Sequence, residues 1–346
     1  MVLRIFKYTC IGLVVLIGAL VLGLAISANM ALDSDLNHTR ASKQLPGFAQ
    51  ASRSGLVRIS ANGMTFRARI AGFDSIPDKP TVILLHGFPV TSAMWIELIE
   101  PLARAGFQVV AFDQRGYSPE ARPANLAAYD VDKLTDDVMA VADAVGASQF
   151  HLVGHDWGAA VGWSTVLTYP ERVLSWTGLS IAHPAAFSQA LENDSDQQSR
   201  SGYFALFRTP WLSESIFSFN NFSLLRGLYQ TMLRDQADEY LAVFSEPKAL
   251  TAALNWYRAM GTGPGNLDEI NTDVHTPTLF IWGNQDAAVG RSAIDAMAAY
   301  MKGPYRSVET NAGHWLLTDE PQRVIDEVLR HIAYVGNHLP IIARPP

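Results

Sequence analysis

Cysteine is almost missing: Cys10 is the only one in 346 residues. That excludes a disulfide framework, a thiolate metal site and a cysteine nucleophile in the globular part, and leaves the redox compartment open. Basic runs are missing as well. The 26 Lys and Arg residues are dispersed among 33 Asp and Glu, for a net charge of −7, so no concentrated cationic face exists to bind nucleic-acid phosphates. No internal repeat or low-complexity tract interrupts the chain, and no cluster of residues implies a metal or an organic cofactor. Charged residues make up only 17% and hydrophobic residues 49%, the balance of a chain with a large core. A small uncharged substrate suits it.

One apolar stretch stands apart. Tyr8 to Ala28 is an uncharged run of 21 residues; as a helix it would cover roughly 31 Å, the thickness of a bilayer's hydrocarbon core. It reads as a membrane anchor within residues 1–30, with the lipid bilayer as its partner. The nearest basic residues, Arg4 and Lys7, precede the run, and Asp33 and Asp35 follow it. This orientation puts the globular part on the non-cytoplasmic side. A cleaved signal peptide ending near Ser27 and Ala28 is the alternative, although the run exceeds the usual apolar region of about 7–15 residues. Sequons begin at Asn37, Asn193 and Asn221, which matter only in a host that glycosylates exported proteins.

Residues 31–54 are polar and aperiodic and read as a linker. Leu56 to Ser60 and Met64 to Ile70 are strand-like around the turn signal Asn62-Gly63, predicting a hairpin. The period then changes. Thr81 to Leu85 is continuously apolar, as a strand buried on both faces should be, and Ser92 to Arg104 has helical spacing. Further strands are expected at Gln108 to Phe112, Phe150 to Val153, Val173 to Leu179 and Thr278 to Trp282, mostly with helical segments between them. The alternation predicts an α/β fold with a mostly parallel sheet and helices on both faces. From Pro184 to about Gly265 the rhythm lapses into helical pattern rich in Tyr, Phe, Trp and Leu. The expected organisation is a core of 55–183 and 266–340 with a helical cap, 184–265, inserted.

The strand from Phe150 runs into Gly154-His155-Asp156-Trp157-Gly158, and small residues open the next helix. Its logic is that of a nucleophile elbow, where glycines permit the sharp strand-to-helix turn that lifts the central side chain above the sheet. Here the central residue is Asp156. The first buried strand ends in His86-Gly87-Phe88-Pro89, the place that supplies one oxyanion donor in such folds. The N–H groups of Phe88 and Trp157 are the candidate donors. His86, Gly87 and Pro89 are assigned to shaping that loop. Downstream, Asp286 follows the strand at Thr278, and His314 precedes the last amphipathic helix. The chain order of nucleophile, acid and histidine is that of a catalytic triad on an α/β-hydrolase fold.

With these motifs the chain resembles the soluble-type epoxide hydrolases of the α/β-hydrolase fold, over roughly Gly55 to Ile332. The resemblance rests on the His86-to-Pro89 loop, the Gly154-to-Gly158 elbow and His314, and it implies an epoxide and water as reactants; the aromatic content of the cap suggests an apolar or aryl epoxide. It also implies two cap tyrosines that hold the epoxide oxygen. Asn255-Trp256-Tyr257-Arg258 resembles the segment carrying the second of them; Tyr203, followed by Phe207 and Pro210, resembles the first, with Tyr229 and Tyr240 as competitors. An aspartate nucleophile fits ring opening, because attack at an sp³ carbon leaves an ester that water can cleave, whereas serine would leave an inert ether.

Two other readings stay open. A haloalkane or haloacid dehalogenase uses the same Asp-His-Asp set. Haloalkane dehalogenases typically carry Asn where this chain has Phe88, although Trp157 would suit them. The arginine clamp of the haloacid type is missing, with Trp157 and Ala160 in its place. The third reading is a non-enzymatic binding module on the same scaffold, against which stands the full set of three catalytic positions.

Overall fold

The computed structural model describes residues 44–51, 53–73, 79–260 and 272–338. The expected anchor, most of the expected linker and the end of the expected cap lie outside them. Among the described residues no helix is long and apolar enough to cross a membrane.

The chain opens with β1 (Gly55–Ala61) and β2 (Met64–Ala71), an antiparallel hairpin. Its turn residues Asn62 and Gly63 both take positive φ, 48° and 70°, as the tight turn signalled by Asn-Gly requires. Then follow β3 (Thr81–Leu85), α1 (Ile96–Arg104), β4 (Gln108–Phe112), α2 (Val131–Ala144), β5 (Phe150–His155), α3 (Trp157–Thr168) and β6 (Val173–Leu179). Six helices come next: α4 (Pro184–Asn193), α5 (Ser195–Arg200), α6 (Tyr203–Phe207), α7 (Leu212–Leu228), α8 (Arg234–Ser245) and α9 (Ala249–Ala259). The core resumes with β7 (Thr278–Gly283), α10 (Arg291–Asp295), β8 (Tyr305–Thr310), α11 (Leu316–Asp319) and α12 (Pro321–His338).

The strands form one eight-stranded sheet in the order β1-β2-β4-β3-β5-β6-β7-β8. From β4 to β8 every pairing is parallel. Every residue of β3, β5 and β7 is buried, which accounts for the apolar runs of β3 and β7; in β5 the buried His151 is hydrogen-bonded to Ser175 at 2.8 Å. The fold is therefore the expected one, and the helical segment enters between β6 and β7.

Local differences have local causes. Ser92–Trp95 forms a 3₁₀ turn before α1, so the expected helix begins later. Pro101 lies within α1. The run of α7 breaks at Phe219–Phe222, whose backbone is not right-handed helical. Strand β8 lies at the sheet edge and buries only Val308 and Thr310 of its six residues; with so polar a segment it was not expected from sequence.

The helical insertion is tied to the core by buried charge. Glu239 of α8 pairs with Arg67 and Arg69 of β2 and accepts from Thr91 Oγ1 at 2.8 Å. Arg122 pairs with Glu246 at 2.7 Å, and the Trp256 indole donates to the Arg115 carbonyl at 2.8 Å.

Candidate active site

The elbow is built by close approach. Asp156 has φ 53° and ψ −124°, a conformation that costs strain in any residue but glycine. Helix α3 starts so close to β3 that a Cβ on Gly158 would lie 2.0 Å from the Leu85 carbonyl oxygen. Gly87 is equally constrained, since its Cβ would fall 2.3 Å from Asp156 Oδ1. The side chain of Asp156 is thereby held over the carboxyl edge of β5, almost wholly buried.

Its two oxygens face different partners. Oδ1 accepts the Phe88 N–H at 2.8 Å, and the Trp157 N–H also donates to this carboxylate. Oδ2 lies 3.6 Å from His314 Nε2. Burial alone would raise the Asp156 carboxyl, but the hydrogen bond and charge of His314, together with the Trp157 N–H, hold it below its ordinary value.

His314 stands on the loop between β8 and α11. Its Nδ1 lies 3.0 Å from Asp286 Oδ2 and 3.2 Å from Oδ1. The loops after β7 and β8 are stitched together, with Asn284 N donating to Thr310 O and Gln285 N to Ala312 O, both at 3.0 Å. Asp286 Oδ1 accepts the N–H groups of Ala288 and Val289 at 2.7 and 3.1 Å. Burial would raise its carboxyl, yet His314, Ser180 and these N–H groups lower it to about 2. Burial would likewise lower the His314 imidazole, but Asp286 and Asp156 on either side raise it to about 10. The ring is an imidazolium at neutral pH.

His86 stands apart from proton transfer. Its Nε2 accepts the Gln114 N–H at 3.0 Å, so Nδ1 carries the proton and donates to the Gly87 carbonyl, also at 3.0 Å. Burial holds its pKa down, and the neutral ring ties its loop to the end of β4. The Phe88–Pro89 peptide that follows is cis.

Tyr257 is buried above the elbow, its ring edge-on to Trp157 and Phe88 at 5.1 and 5.5 Å. The Trp157 and Tyr203 rings adjoin the Tyr257 ring, with centroids 5.1 and 6.2 Å away. Burial, then the charge of Asp156, pushes both phenols upward, so both keep their protons. The competitors face elsewhere. Tyr229 donates to the Pro89 carbonyl, and Tyr240 packs on Tyr229 at 5.2 Å. Phe88, Phe207, Phe217 and Phe244 form an aromatic wall beside Tyr257.

The structure thus gathers Asp156, His314, Asp286, Phe88, Trp157, Tyr257 and Tyr203 into one site. Two further residues join it. His155 Nε2 donates to the His314 carbonyl at 2.8 Å, and burial, then the charge of His314, lowers its pKa to about 4, so it stays neutral. Its place beside Asp156 in the elbow was the available signal. Ser180, just after β6, contacts both Asp286 and His314 and has no local motif. Among the described residues no group of His, Cys, Asp and Glu could hold a metal ion.

The family model described as alpha/beta hydrolase fold matches residues 80–321. Human epoxide hydrolase 4 is 31% identical over 280 residues, covering 78% of this chain and 75% of its own. Epoxide hydrolase A of Mycobacterium tuberculosis is 30% identical over 314 residues, 79% of this chain and 96% of its own. The chain belongs to the epoxide hydrolase family of the alpha/beta hydrolase fold. Among solved structures, epoxide hydrolase A of Mycobacterium thermoresistibile superposes with a TM-score of 0.71 at 27% identity, over 81% of this chain and 98% of its own. A Bacillus megaterium epoxide hydrolase carrying a naphthyloxy-propane-1,2-diol product gives 0.70 at 26%, over 80% and 99%. As a member of this family the chain is a hydrolase.

Proposed function

We propose that this epoxide hydrolase family member opens epoxides to vicinal diols through a covalent ester on Asp156. The observation that carries the reading is the facing pair: a carboxylate with one oxygen held by backbone N–H and, above it, two protonated phenols side by side, their rings 6.2 Å apart. In the first step Asp156 Oδ2 attacks a ring carbon, the ring C–O bond breaks, and its electron pair passes to the oxygen. Tyr257 and Tyr203 donate to that oxygen as charge grows. In the second, a water oxygen attacks the Asp156 carbonyl carbon and gives one proton to His314 Nε2. The resulting oxyanion sits on Oδ1, which already accepts the Phe88 N–H, with the Trp157 N–H directed at the same carboxyl group. Its collapse breaks the bond from carbonyl carbon to alkyl oxygen, and the leaving diol oxygen takes the proton back. The new carboxyl then returns the remaining water proton to His314.

The charges explain the order of events. Resting His314 is protonated between two carboxylates; esterification removes the Asp156 charge, one of the causes that raise it, so its pKa falls and it can act as a base. The proton it gives up balances the one the alkoxide gains. A dehalogenase would need N–H donors for halide, and here Phe88 contributes a ring packed on other aromatics while the Trp157 indole is engaged with Tyr257. The bound diol of the Bacillus megaterium enzyme supports an aryl or apolar terminal epoxide as substrate. We further place residues 1–30 in a lipid bilayer as an anchor, with this site on the non-cytoplasmic face.

The decisive experiment mixes the His314→Gln variant with an aryl glycidyl ether and weighs the intact protein. The expected mass is protein plus epoxide, since ester formation needs no base, while Asp156→Ala gives neither adduct nor turnover. At neutral pH, a dye in weak buffer should read uptake of one proton per adduct in His314→Gln and none during the wild type's first turnover. An unmodified His314→Gln mass beside a competent wild type sinks the two-step mechanism, and wild-type turnover of chloroalkanes but not epoxides sinks the substrate class.

A further inference from the structure

Ser180 is wholly buried, immediately follows β6, and adopts φ 75°, a left-handed conformation unfavourable for any side chain. Its own N–H is bound to the Ile281 carbonyl at 3.0 Å, so the residue is clamped between the strand that leads to the nucleophile and the one that leads to Asp286. Its hydroxyl donates to Asp286 Oδ2 and lies 2.9 Å from His314 Nδ1.

We propose that Ser180 is a positioning residue for the hydrolytic half-reaction: its hydroxyl locks the Asp286 carboxylate and selects the His314 tautomer with the proton on Nδ1. A hydroxyl has one proton to give. With that proton on Asp286 Oδ2, the contact to His314 closes only when Nδ1 is the donor, shared between Ser180 Oγ and the carboxylate at 3.0 Å. The neutral ring then presents a bare Nε2 toward Asp156, where the attacking water must lose its proton. Asp286, an acceptor-only carboxylate, asks for the same tautomer, but its hold on it depends on how its two oxygens are fixed. Its Oδ1 is pinned by two N–H groups, but Oδ2 has only His314 and Ser180.

Removing the hydroxyl has two opposed effects on the base. Loss of the bond to the carboxylate concentrates negative charge on Asp286 and stabilises the imidazolium, whereas loss of one arm of the shared Nδ1 bond destabilises it. After the loss Nδ1 still has both carboxylate oxygens as acceptors, at 3.0 and 3.2 Å, whereas Oδ2 loses its only donor besides His314, so the first wins. The His314 pKa in the ester intermediate should rise, and the acid limb of ester hydrolysis should move to higher pH.

This inference rests on the covalent mechanism above. The test uses Ser180→Gly, which deletes the hydroxyl while relaxing the left-handed backbone, and Ser180→Ala, which keeps a Cβ. Quench-flow with intact-mass detection would follow adduct formation and decay separately. Expected for both variants is adduct decay slowed about tenfold to a hundredfold at neutral pH, the weight of one hydrogen bond to a charged group. Adduct formation should stay within about threefold, and the acid limb of decay should shift upward. A purely structural role predicts that Ser180→Gly recovers both steps, or that both slow together with an unmoved pH limb; either result overturns the proposal. A wild type that turns over without an adduct overturns the mechanism beneath it, whereas a normal two-step wild type beside a Ser180→Gly that decays normally removes Ser180 alone.

Discussion

A phenol that accepts one hydrogen bond becomes a better donor of the next. The Tyr257 ring lies 5.1 Å from the Trp157 indole, which can donate to the phenol oxygen but never accept from it, so the phenol's own proton is left for Tyr203 or for an incoming epoxide oxygen. Tyr257→Phe removes that donor and little volume. We expect alkylation to slow by on the order of 10² to 10³, as for the loss of one oxyanion donor, with ester hydrolysis unchanged because the reacting carbon has by then moved to Asp156. Pre-steady-state measurement of both steps checks this, and an unchanged alkylation rate would remove Tyr257 from the reaction. The pairing of Tyr257 with Tyr203 was only half legible in the sequence. Tyr229 and Tyr240 lie on the same insertion, and only the fold turns one toward Pro89 and the other against it. Ser180 was not legible at all, because its partners come from the far ends of two later strands.

Elements were legible where burial is two-sided. Strands β3 and β7 announce themselves as apolar runs because both faces are covered, and the elbow is readable because its glycines answer close backbone approaches, Gly154 to Gly158 and Gly158 to Leu85. Strand β8 hid because an edge strand can remain polar. The seam between insertion and core was also invisible, since it pairs β2 with α8 across 170 residues of chain. Glu239 is its hub, facing Arg67, Arg69 and Thr91, with Asp113 holding the other side of Arg67 at 3.5 Å. Breaking a buried pair leaves charge without compensation, so Glu239→Ala should cost about 3–5 kcal/mol in denaturant unfolding. Because the insertion carries Tyr203 and Tyr257, activity should fall with stability. A change below about 1 kcal/mol would show that Asp113 alone satisfies Arg67.

At the scale of the molecule, the question is where the catalytic body begins. Strand β1 is an edge of the sheet, and an edge leaves backbone groups open to pairing with other chains. The residues before it cover part of that edge: Pro46 O accepts the Arg58 N–H at 2.9 Å, Gly47 bridges Arg58, and Leu45 O accepts Arg58 Nε at 3.2 Å. The Phe48 ring packs edge-on against Phe73 at 5.1 Å. Residues from Leu45 on therefore belong to the folded body, and two truncations should behave differently. A chain lacking residues 1–43 should be soluble, fully active and as resistant to urea as the catalytic domain of the full protein. A chain lacking residues 1–54 should lose about 1–3 kcal/mol, from the half-buried Phe48 and the hydrogen bonds to Arg58, and should associate through the bared edge of β1. The full chain, with Tyr8 to Ala28 in place, should sediment with membranes and be released only by detergent. Its recovery in the soluble fraction at full length would remove the anchor without touching the site, and equal stability of the two truncated forms would show that the segment before β1 contributes nothing to the fold.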